Sequence, residues 1–131
     1  MVSALVISTT TLLVSVAIHL FNISVVADRA LKKLNKGWIK TQAVVFIAIA
    51  SQILLAAIFT LAYHIGLSLD LGSFKEPATF LDIFYFSLTT ITTLGLGTIV
   101  PTGHLQMLAG VESATGFLLI SCSASKVFKT M

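Results

Sequence analysis

Charge is scarce in this chain. Only 10% of its 131 residues are Asp, Glu, Lys or Arg, against 56% hydrophobic, and a water-soluble domain carries roughly a quarter charged residues. With a strongly positive mean hydropathy as well, an ordinary soluble domain is excluded. Cysteine is nearly absent: Cys122 stands alone, so no disulfide can form within the chain. It lies in an apolar stretch, where a packed thiol is expected. No nucleophile, base and orienting group are grouped anywhere, which argues against an enzyme. No third ligand accompanies His19 and Asn22, so no metal site is expected, and that pair is expected to bond neighbouring helices. No cofactor is expected either. The two prolines leave the long apolar runs unbroken. There is no internal repeat.

What remains is a set of long uncharged stretches. Residues 2–27 contain no charged side chain, and about 20 residues at 1.5 Å each cross the hydrocarbon of a bilayer. This predicts a first spanning helix over about 2–27. A cleaved signal peptide is the alternative, but no Lys or Arg precedes the run. A basic segment, 28–40, follows with Arg29, Lys32, Lys33, Lys36, Lys40 and Trp38. A second apolar run over about 41–66 leads to a polar segment, 67–79, holding Asp70, Gly72, Lys75, Glu76 and Pro77. The third run, about 103–128, is interrupted by Glu112 and Lys126.

Seven of the eight basic residues fall in 28–40 or at Lys126 and Lys129. Lys and Arg favour the cytoplasmic side. The expected topology therefore has an external N-terminus, a cytoplasmic 28–40 loop, an outer 67–79 loop and a cytoplasmic C-terminus. The net charge of +3 reads as this topology signal, and no nucleic acid is expected as a partner. The whole chain is expected to form one membrane domain with the lipid bilayer as its environment.

Between the second and third runs lies a segment of a different kind. Thr79-Phe80-Leu81-Asp82 has the form of a capping box, which predicts a helix from Phe80 to about Thr90 or Thr92. At about a dozen residues it is too short to cross a membrane. Thr92-Thr93-Leu94-Gly95-Leu96-Gly97-Thr98 follows at once. A strip in which Gly95 and Gly97 take positive φ turns successive carbonyls to one side, and irregular backbone at membrane depth must be buried in protein or line water. The segment 80–98 is thus expected to be a re-entrant pore helix plus filter. One chain supplies one such loop, so a fourfold filter implies a homotetramer.

The stretch Phe84-Tyr85-Phe86-Ser87-Leu88-Thr89-Thr90-Ile91-Thr92-Thr93-Leu94-Gly95-Leu96-Gly97 resembles the pore loop of the potassium channel superfamily, whose filter reads T-V-G-Y-G. The resemblance covers about residues 80–120. It implies an all-α membrane protein with three transmembrane helices, a re-entrant pore helix and a selectivity-filter loop. It also implies passive K⁺ flow past Thr93, Leu94, Gly95, Leu96 and Gly97, with permeant K⁺ as the ion held there. A bacterial inner-membrane location is the corresponding expectation. Leu96 replaces the usual Tyr and Thr98 the usual Asp, so two groups that brace the filter from behind are missing. A poorly selective monovalent cation channel, or a non-conducting membrane subunit on the same fold, are the alternative readings.

Five more positions are candidates for pore support or gating, besides Thr98. Glu112 is the lone carboxylate in a spanning run and is expected to bond the pore helix or filter, or else to face the cavity. Gly116 is either a hinge or a point of close helix approach. Thr115, Leu119 and Cys122, with Lys126, share a helical stripe expected to face the permeation path.

Overall fold

The computed structural model describes residues 1–131. The chain is entirely helical, apart from one bridge between extended segments. Helix α1 (Val2–Phe21) passes through a π turn (Asn22–Val26) into α2 (Ala27–Lys32), and α3 spans Gly37–Ser68. The short α4 is Phe80–Ile91 and α5 is Leu105–Thr130. Three helical stretches, Val2–Lys32, Gly37–Ser68 and Leu105–Thr130, are long and apolar enough to cross a membrane, whereas α4 is not.

The helices outrun the uncharged stretches at their basic ends. Arg29 and Lys32 lie inside α2, and Lys40 inside α3. Lys and Arg are good helix formers whose long stems keep the charge in water while the backbone stays helical.

Side-chain polarity is inverted relative to a soluble bundle. The buried face of α1 is Ala4, Ser8, Thr11, Ser15 and His19, while Leu13, Val14, Leu20 and Phe21 are exposed. Lipid is as apolar as leucine, so helices associate through small and hydrogen-bonding residues instead. This face packs on both α3 and α5. The apolar core lies between α3, α4 and α5, where Leu55, Phe59, Tyr63, Ile83, Ile91, Leu105, Leu108 and Leu119 meet.

Helix α4 begins where the capping box predicts. The Asp82 N–H donates to Thr79 Oγ1 at 3.3 Å and the Thr79 N–H to Asp82 Oδ2 at 2.7 Å. Its twelve residues span about 18 Å, short of the roughly 30 Å hydrocarbon core. The segments that flank it are tied together. The Lys75 N–H donates to Val100 O at 3.0 Å, Thr102 N–H to Ser73 O at 2.7 Å and His104 N–H to Leu71 O at 2.9 Å. The hydroxyls of Ser73 and Thr102 lie 2.9 Å apart in a further hydrogen bond. The pore loop thus leaves and rejoins the bundle at one point.

Candidate functional site

The glycine strip starts where α4 stops. Thr92 caps the helix, and Thr93 then turns into the left-handed region at φ 60°, followed by Gly95 at φ 71°. Two bonds hold the turn: Thr93 N–H to Thr90 O and Gly95 N–H to Thr89 O, both 3.0 Å. The expected alternation is met at Gly95 and not at Gly97, which keeps negative φ. The second positive φ falls on Thr93, a strained choice for a β-branched residue. Gly97 is needed for space instead, since a Cβ there would sit 2.9 Å from Phe86 Cδ2.

Beyond the turn, none of the carbonyls from Thr93 to Thr98 accepts a hydrogen bond from the chain. The hydroxyls nearby offer none, because Thr89 and Thr90 donate to Phe86 O and Thr92 to Leu88 O. Leu94 and Leu96 are each 62% exposed in the single chain, and Thr98 is exposed as well. Leu96 and Thr98 form no bond behind the strip. Buried Ile99 anchors its far end.

Behind the strip the support is aromatic and polar. Tyr63, Phe74 and Phe86 form a trio with ring centroids 5.6 to 5.9 Å apart. Tyr63 donates to Glu112 Oε2 at 2.6 Å, and Ser87 is hydrogen-bonded to Glu112 Oε1 and to Ala56 O. Glu112 is completely buried. One residue each from α3, α4 and α5 therefore meets at a single carboxyl, which satisfies a group too polar to face lipid. Tyr63 and Ser87 were not foreseen as site residues. The available signal was that a lone intramembrane carboxyl demands donors, and a tyrosine at the end of a span is a natural one.

Gly116 is a point of close approach. A Cβ on it would lie 1.7 Å from the Ile91 carbonyl oxygen, so only glycine lets α5 touch the end of α4. The expected stripe divides between packed and open sides. Thr115 and Leu119 are both 3% exposed, packed within the protomer, and Thr115 donates to Val111 O. Cys122 alone of the three is exposed, and Lys126 pairs with Asp28 at 2.5 Å. The open side of α5 carries Phe117, Leu118 and Cys122 instead.

His19 and Asn22 bond neighbouring helices. The His19 ring is hydrogen-bonded through Nδ1 to Ser51 Oγ and through Nε2 to Ser123 Oγ, both 2.9 Å, and Asn22 Nδ2 donates to Ser51 Oγ at 3.1 Å.

The sequence that builds this site has counterparts among known proteins. The inward rectifier potassium channel Kirbac3.1 of Paramagnetospirillum magnetotacticum is 34% identical over 90 residues, which is 64% of this chain and 29% of that protein. The chain thus spans less than a third of that relative's length. No solved structure gives a significant match. The profile of the family described as "Ion channel" matches residues 46–131, from within α3 through the pore loop to the end of α5. The chain belongs to the ion channel family.

Proposed function

We propose that four copies of this chain surround one axis and pass K⁺ along the backbone of Thr93, Leu94, Gly95, Leu96 and Gly97. The observation that carries this reading is the run of carbonyls from Thr93 to Thr98 that accept nothing from the chain. Free carbonyls at membrane depth are costly unless they line water or hold a cation in place of its hydration shell. Helix α4 adds a second reason. Its C-terminus ends at the strip, and the partial negative charge there favours a cation. The uncovered Leu94, Leu96, Phe117 and Leu118 are surfaces that further copies would bury. Transport is then passive, with no reaction to catalyse.

The rest of the chain takes roles around this path. Glu112 positions α4 through Ser87, and Gly116 seats α5 against Ile91. Thr115 and Leu119 pack behind the filter, Cys122 faces a neighbour or the cavity, and Thr98 stands at the mouth. The basic segment 28–40 and the Lys129 end lie on the cytoplasmic side and the 67–79 loop outside, by the asymmetry of Lys and Arg. A bacterial inner membrane fits the organism of the relative. Potassium is favoured by that relative's named ion. A poorly selective monovalent pathway is the second reading, since Leu96 is 62% exposed and has no polar group to brace the strip.

Purified protein in liposomes loaded with K⁺ tests both readings. A K⁺ flux with a reversal potential near the K⁺ equilibrium value supports the first. Equal permeability to Na⁺ supports the second. No flux of either ion would leave a non-conducting subunit and end both.

A further inference from the structure

The family match begins at residue 46, so α1, the π turn and α2 are what this chain adds to the matched part. Their contacts concentrate on one stretch of α5. His19 bonds Ser123, and Asp28 pairs with Lys126. Ser123 and Lys126 are three residues apart and so share one face of α5. His19 is fully buried and bonds Ser51 of α3 with its other nitrogen. The Ser123 hydroxyl donates to Leu119 O and so accepts from His19 Nε2–H, while the Ser51 hydroxyl can donate to Nδ1. Three helices are joined at that ring.

His19 and Asp28 should not both reach α5. They are nine residues apart, and at about 100° per residue a straight α-helix would put them on opposite faces, about 180° apart. The π turn at Asn22–Val26 lies between them. Its i to i+5 bonding accommodates one extra residue, which turns everything after it by about 100° and leaves an offset of about 80°. The buried line continues accordingly from His19 through Ile23 to Ala27, and Asp28 flanks it within reach of a long lysine.

We propose that α1 and α2 form a clamp on the Ser123 to Lys126 stretch of α5, brought into phase by the π turn. This clamp sets the position from which that end of α5 moves when the pathway opens. Above the clamp α5 is fixed by Gly116 against Ile91 and by Glu112. Below Leu119 the tertiary hydrogen bonds and ion pair to α5 are those from His19 and Asp28. The clamp stands on its own geometry, and its coupling to conduction rests on the reading of the chain as a channel.

Full-length protein in nanodiscs, followed by amide hydrogen exchange, tests the clamp without need of conduction. Three forms are compared with wild type: Lys126→Ala, deletion of Ser24, and the swap Asp28→Lys with Lys126→Asp. Ser24 is an exposed residue inside the π turn, and its loss should restore a plain α-helix with eight residues from His19 to Asp28, which keeps Asp28 at the same offset of about 80°. Amides of 120–131 should exchange roughly fivefold faster in Lys126→Ala, and the deletion and the swap should both stay within about twofold of wild type. Fast exchange in a folded deletion form overturns the phasing role of the π turn. Unchanged exchange in Lys126→Ala, or no recovery in the swap, overturns the clamp. If the deletion fails to fold, those two forms still decide. K⁺ flux from the same preparations should shift in Lys126→Ala and revert in the swap. Faster exchange with unaltered flux overturns the coupling to conduction. A wild type without flux defeats the channel reading alone, and exchange still decides the clamp.

Discussion

At the scale of single residues, two positions behind the glycine strip leave little freedom. Glu112→Gln retains an acceptor for Tyr63 and supplies a donor toward Ser87, so it should preserve assembly and thermal stability. Glu112→Ala strands the Tyr63 hydroxyl in a dry site, at a cost of about 1–3 kcal/mol, and should lower the thermal midpoint of the purified protein. Equal midpoints for the two variants would remove the bonding role. Gly116→Ala places a methyl onto the Ile91 carbonyl, 1.7 Å away before relaxation. Overpacking of this kind costs about 1–3 kcal/mol, and here it pushes α5 off α4. Within the strip itself, Leu96→Tyr with Thr98→Asp supplies two groups that can brace it from behind. It should raise the K⁺/Na⁺ permeability ratio, about fivefold for each bond worth on the order of 1 kcal/mol. Identical reversal potentials in the variant and wild type would show that these positions do not set selectivity.

At the scale of elements, α4 depends on its first turn. The Thr79 hydroxyl, and then its backbone N–H, hold the Asp82 carboxyl below its ordinary range. A lowered value in the folded state means that the box contributes fully above the unfolded carboxylate value near ~4. The contribution is lost as pH falls through the lower folded value. The Asp82 side-chain NMR signal should therefore titrate at lower pH than that of a free aspartate, and Thr79→Ala should bring it back up. A signal unmoved by Thr79→Ala would show that the hydroxyl does not hold the carboxyl. This helix was legible because its start is local, with Thr79 and Asp82 three residues apart. The long spans were legible for a similar reason, as absence of charge needs no tertiary partner to be read. The π turn at Asn22–Val26 was not, since nothing in Asn-Ile-Ser-Val-Val is unlike a plain helix. It is selected by bonds to α3 and α5 that lie far away in sequence. The glycine strip was legible as a strip, yet its φ pattern was not. Space against Phe86 governs Gly97, and hydrogen bonds to Thr89 and Thr90 govern the turn at Thr93 and Gly95. The stripe through Thr115 was legible only as a face, because helical spacing does not say which neighbouring helices cover it.

At the scale of the whole molecule, assembly and orientation are the open quantities. Native mass spectrometry in mild detergent should give a mass four times that of the chain. Monomers and dimers alone would count against a fourfold filter. For orientation, cysteines introduced at Lys33 and Lys75 in a Cys122→Ser background should react with an impermeant thiol reagent from opposite faces of sealed vesicles. Labelling from one face for both would reverse the assignment drawn from Lys and Arg.

The pairing of residues 71–75 with 100–104 bears on how such a chain tolerates change. Ser73, Thr102, Lys75 and Val100 close a neck below residues 76–99, so the ends of that loop are held whatever its tip contains. Closing a flexible loop becomes only about 0.6 kcal/mol harder for each doubling of its length. Extra residues between Glu76 and Thr79 should therefore bulge into solvent without disturbing α4. For the same reason the loop with its neck is a transferable cassette: grafted as 71–104 onto a related pair of spanning helices, it would carry its own closure with it, whereas a graft of 80–98 alone would leave the neck behind.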